Sequence, residues 1–288
     1  MERINSVVDY INKQVICDWS KQDQESFAKN ANIPNIIEHS DKVVLTERYF
    51  QQFFRLMTGE PIGAYINRLR LERAAFLLQN THKSIADIAS TVGYTSENAF
   101  FKRFKEHFKL TPKKYRDRYV EVLPSPSEQE YLSPEGHTRI VSEQHLIYRS
   151  YTGYYSQCND LSFDTEYWDS LYEYATQHHI LQEEPAYYGI CFDESNIRKP
   201  DRCRFYACMS VSEPQRPNGI IGAMTIKPGK YIVYKHIGSY TQLETFYKSI
   251  FHSFRYELRD DFILEHYLNG PQDVSEESLE TEVMIPIR

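Results

Sequence analysis

Near residue 121 the periodicity of the apolar residues changes, and that change limits the chain to two separately folded parts. Before it, apolar side chains recur three and four apart: Ile4, Val7, Val8 and Ile11; Phe50, Phe53, Phe54 and Met57; Phe100, Phe104 and Phe108. That spacing lines one face of an α-helix. After it come short β-rich runs, RFYACMSV, KYIVYKHI and EVMIPI, broken by helical stretches near 160–178 and 240–258. Between them EVLPSPSEQEYLSPEG (121–136) carries three prolines, three serines and four glutamates without an apolar period, and reads as an extended linker. The fold class expected is multidomain: an all-α part over 1–120, a linker over 121–136 and an α+β part over 137–288.

A chain of 288 residues can bury a core in each part. No apolar run reaches membrane-spanning length and the N-terminus is too polar for a signal peptide, so neither a membrane nor secretion is expected. The five cysteines, Cys17, Cys158, Cys191, Cys203 and Cys208, are odd in number and form no C-x-x-C pair. Reduced thiols in a cytoplasm are expected, with no metal, cofactor or disulfide framework. Cys203 and Cys208 fall in a strand-like run and read as buried thiols.

The net charge of −7 conceals a division. Residues 1–120 hold 19 Lys and Arg against 14 Asp and Glu, a balance of +5; residues 121–288 hold 14 against 26, a balance of −12. The first part could meet a polyanion that the second would repel, although two ordinary domains can differ this way by chance.

Each part contains a repeat. Phe50-x3-Phe54, Gly59 and Tyr65 match Phe100-x3-Phe104, Lys109 and Tyr115 at an offset of 50, whereas the upstream Phe27-Ala28 matches Ile88-Ala89 at an offset of 61. The difference is an 11-residue insertion in the first copy, near 35–45. In the second part Gly153-x-Tyr155 matches Gly238-x-Tyr240 at an offset of 85. Two units of strand, helix, strand, strand are expected there, with a groove between them as a natural ligand site.

SIADIASTVGYTSENAFFKRFKEHF (84–108) has the layout of a helix-turn-helix. Ile85, Ile88, Ala89 and Val92 form the inner face of a short helix, Gly93 supplies a left-handed turn, and Ser96 caps a second helix with Phe100 and Phe104 inward. Glu97, Asn98, Phe101, Lys102 and Lys105 then face outward, where a recognition helix meets base edges and phosphates. Lys113, Lys114, Arg116 and Arg118 follow as phosphate contacts. A solvated helical hairpin with a charged face would look similar on one copy alone. The helix PIGAYINRLRLERAAFLLQ (61–79) would connect two such units, with Arg68, Arg70 and Arg73 along its exposed side.

The run Ile88-Ala89-x3-Gly93-Tyr94-x-Ser96, Phe100-x3-Phe104-Lys105 and Thr111-Pro112-x2-Tyr115-Arg116 is very similar to the signature of AraC/XylS-type activators. The resemblance implies a bipartite domain reading two successive major-groove segments of double-stranded DNA, with RNA polymerase as a further partner. Matched to it, the first recognition helix is TERYFQQFFRLM, with Arg48, Gln51 and Gln52 outward and Phe50, Phe53 and Phe54 in the core. Two departures stand out. Lys109 occupies the family's usual glycine, so it either strains the turn or adds a phosphate contact. The insertion either loops out or leaves the first unit degenerate; survival of both flanking helix patterns favours looping out. Two reading helices in one chain suit a monomer or weak dimer.

The second part holds 17 of the 23 tyrosines. They either line a pocket for aromatic or cationic guests or simply fill surface and core. Glu265 in FILEHYL and Glu282 in EVMIPI interrupt apolar strands, and either faces such a pocket or solvent. VSEQHLIYRSYTGYY (141–155), DRCRFYAC (201–208), GKYIV (229–233), His236-x-Gly238-x-Tyr240 and EVMIPI together resemble the GyrI-like effector-binding domain. The resemblance implies a groove for hydrophobic, often cationic compounds, with Glu282 the first candidate carboxylate and Glu265 the second. Tyr148, Tyr155, Trp168, Tyr206 and Tyr240 are candidate wall residues. The order of the two domains resembles the Rob-type regulators.

Three functions fit: a ligand-responsive transcription regulator, a small hydrolase built on a Tyr/Glu pair, or a sequestering protein that touches DNA weakly. No G-x-S-x-G, metal cluster or usable Cys/His spacing supports an enzyme, so no catalytic residue is assigned and the regulator is expected.

Overall fold

The computed structural model describes residues 47–122, 134–159, 164–193, 203–216, 220–259 and 261–288. The chain divides into two compact units, Met1–Ser125 and Pro126–Arg288. Phe27-Ala28, Cys17 and the insertion near 35–45 lie outside the described residues.

Five described helices build the first unit: α1 (Glu47–Thr58), α2 (Ile62–Asn80), α3 (Ile85–Thr91), α4 (Glu97–Phe108) and α5 (Pro112–Val122). Helix α2 touches each of the other four. Its Ile62, Leu69, Leu71, Ala74, Ala75 and Leu78 are all buried, and together they encircle most of the helix. The expectation of an exposed arginine side on α2 is therefore corrected: Arg68, Arg70 and Arg73 are half-buried. Arg68 pairs with Glu60 at 2.6 Å and with Glu72 at 3.0 Å, and Arg73 lies over the Phe76 ring. A helix packed around most of its circumference must satisfy most of its charges internally.

The aromatic repeat makes the core. Phe54, Phe100 and Phe104 are fully buried; Phe54 meets Tyr65 edge-on with centroids 5.4 Å apart, and Phe104 meets Tyr115 in the same way at the same distance. These are matching pairs, fifty residues apart. Removing either phenyl ring would cost about 3–5 kcal/mol.

The second unit is one antiparallel sheet with helices. Its strands are β1 (Gly136–Val141), β2 (Gln144–Gly153), β3 (Tyr187–Cys191), β4 (Cys203–Val211), β5 (Gly222–Ile226), β6 (Gly229–Ile237), β7 (Leu264–Tyr267) and β8 (Glu280–Pro286). Helix α6 (Asp169–Gln177) separates β2 from β3, and α7 (Leu243–Ser253) separates β6 from β7. The order across the sheet is β1-β6-β8-β7-β3-β4-β2-β5. Each edge strand thus pairs far along the chain: β1 joins β6 rather than its sequence neighbour β2, and β5 joins β2 rather than β6.

Strands β3 and β7 meet at the middle, where Gly189 lies opposite Glu265 and Tyr187 opposite Tyr267. Side chains alternate between faces. One face carries Ile147, Phe205, Ala207 and Met209, packed with Leu171 and Ala175 of α6. Cys203 and Cys208 are buried, as expected of structural thiols.

Candidate functional site

In the first unit, local capping sets the geometry of the turn. Ser84 opens α3, its Oγ accepting from the Asp87 amide at 3.1 Å and donating to Asp87 Oδ2 at 2.6 Å. The chain then reverses at Gly93, whose φ of +84° excludes most side chains. Tyr94 anchors the turn to α2 by donating its hydroxyl to Asn67 Oδ1 at 2.6 Å, and burial pushes its phenol up to about 12. Ser96 caps α4 by accepting from the Ala99 amide.

With Phe100 and Phe104 inward, Glu97, Asn98, Lys102 and Lys105 are exposed along the outer face of α4. Phe101 is half-buried against the Phe100 ring. Gln51 and Gln52 are exposed on α1. The side chains of Arg48, Phe50 and Phe53 lie outside the described residues. Lys113, Lys114 and Arg118 are exposed, but Arg116 is not free for phosphate. It donates to the Leu78 carbonyl at 3.2 Å and to the Lys83 carbonyl at 2.7 Å, which satisfies the end of α2 and the segment after it. Lys109 adopts the left-handed conformation, φ +60°, and its Nζ donates to the Glu106 carbonyl at 2.7 Å. Gly59, its match in the first copy, has φ +79°.

In the second unit the two candidate carboxylates lie on opposite faces of the sheet. Glu282 sits opposite His266, and Glu265 opposite Val283. Glu282 is paired: Arg139 donates to its two oxygens at 2.6 and 2.7 Å, and His266 Nδ1 stands 3.1 Å away. Those bonds, above all from Arg139, hold its carboxyl down at about 2. The surrounding side chains fit that role, with His266 stacked on Tyr188.

Glu265 is 4% exposed. The Tyr267 hydroxyl donates to its Oε2 at 2.7 Å and the Cys191 thiol to its Oε1 at 3.4 Å, with Tyr247 of α7 as a third donor. Burial pushes its carboxyl above the usual range, against the pull of those hydrogen bonds. Burial likewise raises the Tyr247, Tyr267 and Cys191 groups, so all three remain donors at neutral pH. Trp168 and Tyr240 each pack edge-on against the Tyr267 ring, at 5.8 and 5.3 Å, and Trp168 also meets Tyr187. The assembly is a carboxylate ringed by aromatic side chains, and among its described hydrogen-bond partners there is no Lys or Arg.

Of the expected wall residues, Trp168 and Tyr240 therefore gather at Glu265. Tyr148 and Tyr206 do not: the register sets them on the other face, stacked on each other at 4.3 Å and buried. Tyr155 spends its hydroxyl on the backbone of Asp193 and Arg204, which braces the buried Arg204–Asp193 ion pair. Tyr267, Tyr247, Cys191 and Gly189 were not read as site residues. Tyr267 stands two residues from Glu265 on one strand, so alternation alone places the two on one face; the other three arrive from elements whose placement no local pattern specifies.

A family model described as the GyrI-like small molecule binding domain matches residues 141–288, and a helix-turn-helix domain model matches residues 40–118. The HTH-type transcriptional activator RhaR of Mannheimia succiniciproducens is 29% identical over 120 residues, covering 37% of this chain and 44% of the relative. The transcriptional regulator Rob of Salmonella typhimurium is 24% identical over 214 residues, 70% of this chain and 72% of that protein. The match thus spans less than half the length of RhaR. Among solved structures, a cryo-EM structure of an EcmrR–DNA complex is similar at 15% identity and a TM-score of 0.47, over 84% of this chain and 82% of that one.

Proposed function

Because the chain belongs to the family of the GyrI-like small molecule binding domain and carries a helix-turn-helix domain ahead of it, we propose that it is a transcription regulator whose DNA binding responds to a lipophilic cation. The observation that carries the effector class is Glu265. A carboxylate buried among tyrosines, tryptophan and a thiol, with no Lys or Arg among those hydrogen-bond donors and His236 as a basic group acting on it through space, is costly to bury and is relieved by a cation arriving in a water-poor site. Glu282 is already neutralised by Arg139, so Glu265 is the leading carboxylate and Glu282 a structural one.

The order β2-α6-β3-β4 followed by β6-α7-β7-β8 supports two similar units, joined where Gly189 faces Glu265. The linker expected over 121–136 gives up residues 121–122 to α5 and Gly136 to β1, so residues 123–135 join a DNA-binding domain (1–122) to an effector domain (136–288). Glu97, Asn98, Phe101, Lys102 and Lys105 read one major-groove segment, and Arg48, Gln51 and Gln52 the next. The chain works inside the cell as a monomer or weak dimer and contacts RNA polymerase.

Fluorescence anisotropy of the full chain against DNA from its own upstream region and a scrambled duplex tests this, with and without tetraphenylphosphonium. Specific binding is expected at least ~10³-fold tighter than the scrambled control, and altered by the cation. Cation binding that leaves DNA affinity unchanged would favour sequestration instead.

A further inference from the structure

The Glu265 face of the sheet holds a second polar group that its surroundings do not satisfy. Thr281 on β8 is fully buried, and its Oγ1 has no hydrogen-bond partner among the described residues. Register places it in one row between His236 of β6 and Tyr267 of β7, so all three side chains project to the face that carries Glu265. Both neighbours are engaged elsewhere: Tyr267 donates to Glu265 at 2.7 Å, and His236 Nε2 lies 3.2 Å from the Ser239 carbonyl. The next residues of β8 on this face are Val283 and Ile285, both fully buried. A β-branched apolar side chain therefore suits this strand face, and the hydroxyl is the one feature of Thr281 that packing does not require. A buried hydroxyl without a partner is destabilising, and native structures hold few of them.

Thr281 and Glu265 stand diagonally across the β7–β8 pair, a separation of about 7–8 Å between backbones. We propose that Thr281 is a second recognition point of the Glu265 site, and that the effector is a lipophilic amine carrying a hydroxyl, ether or carbonyl oxygen near its ammonium group. The ammonium N–H groups go to Glu265 and the oxygen to Thr281, while the aromatic frame lies against Trp168, Tyr240 and Tyr267. This rests on the reading of Glu265 as the effector carboxylate and narrows it: cations without hydrogen-bonding groups satisfy Glu265 only.

Calorimetric titration of the full chain and its Thr281→Val variant with two probes tests the assignment. Propranolol carries an ammonium, a hydroxyl and an ether on an aromatic frame; tetraphenylphosphonium carries charge and rings alone. The substitution is expected to weaken propranolol about fivefold to tenfold, to leave tetraphenylphosphonium within about twofold, and to raise the Tm of the unliganded chain by about 2–4 °C. A hydroxyl with a structural role would give the opposite Tm shift. Propranolol affinity unchanged by the substitution, equal weakening of both cations, or a lower unliganded Tm overturns the proposal while leaving Glu265 as the effector carboxylate. A wild-type chain that binds neither probe overturns that reading together with this one.

Discussion

Gly189 on β3 lies directly opposite Glu265 on β7, and the space its side chain would take is filled by the Tyr267 hydroxyl that bonds the carboxylate. A Cβ at Gly189 would overlap that hydroxyl and come within 2.8 Å of the Phe205 ring. The glycine is therefore what lets Tyr267 fold back over its own strand onto Glu265.

Gly189→Ala is expected to displace Tyr267 and destabilise the second unit by about 1–3 kcal/mol, as overpacking of a close-packed interior does. Urea unfolding read by near-ultraviolet circular dichroism would measure it. A loss below a few tenths of a kcal/mol would mean that Tyr267 is not held as described.

The two carboxylates give stability slopes of opposite sign with pH. Glu282 is lowered from 4.5 to about 2 by Arg139, so it contributes stability above pH 4.5 that is lost as pH falls towards 2. Glu265 is raised by burial, so stability falls as pH rises from the ordinary carboxylate value through its raised one. Glu282→Gln is expected to flatten the acid side of a stability–pH curve, and Glu265→Gln the opposite limb. If Glu265 holds the cation as proposed, the same shift is expected to make cation affinity fall on acidification, beginning at a higher pH than for an ordinary carboxylate.

Lys109 holds the left-handed position that Gly59 holds in the first copy. Lys109→Gly is expected to stabilise the first unit by about 1 kcal/mol by removing the β-carbon clash. A thermal melt at fixed salt measures this, and an unchanged or lower Tm would show that the Nζ bond to the Glu106 carbonyl matters more.

On DNA, Asn98→Ala with Lys102→Ala is expected to cost about 1–3 kcal/mol of discrimination per lost base contact. Lys113→Ala should instead weaken native and scrambled duplexes alike and reduce the salt dependence. Competition anisotropy at two salt concentrations separates these effects. If Arg48→Ala with Gln52→Ala leaves both affinity and specificity unchanged, the first reading head does not contribute.

The helical part was legible because its information is local. Gly93, the cap Ser96 and the Phe100/Phe104 stripe each act within a turn or two of chain, and spacing alone placed them; the Ser84 cap is equally local but was not read. Arg68 and Arg116 were misread because their partners, Glu60 and the Leu78 and Lys83 carbonyls, depend on how the ends of α2 pack against the neighbouring segments. In the sheet, alternation put Glu265 and Tyr267 on one strand face but left open the face of Glu282, which the β7–β8 register decides. It could not say which face would meet α6 and α7, nor that Arg139 would arrive on Glu282 from a strand about 140 residues away, because β1 pairs with β6 and not with β2. Tyr148 and Tyr206 lie on the face opposite Glu265, a placement set by the register between strands and not by composition.

The most direct test of an effector-responsive regulator is the operator affinity of the full chain with saturating tetraphenylphosphonium, with its isosteric anion tetraphenylborate, and with neither, for wild type and Glu265→Gln. Coupling between sites usually changes affinity about 5–150-fold. The account predicts a change of that size with the cation in wild type, none with the anion, and none with either in Glu265→Gln. Equal responses to cation and anion, or a cation response that survives Glu265→Gln, would contradict it.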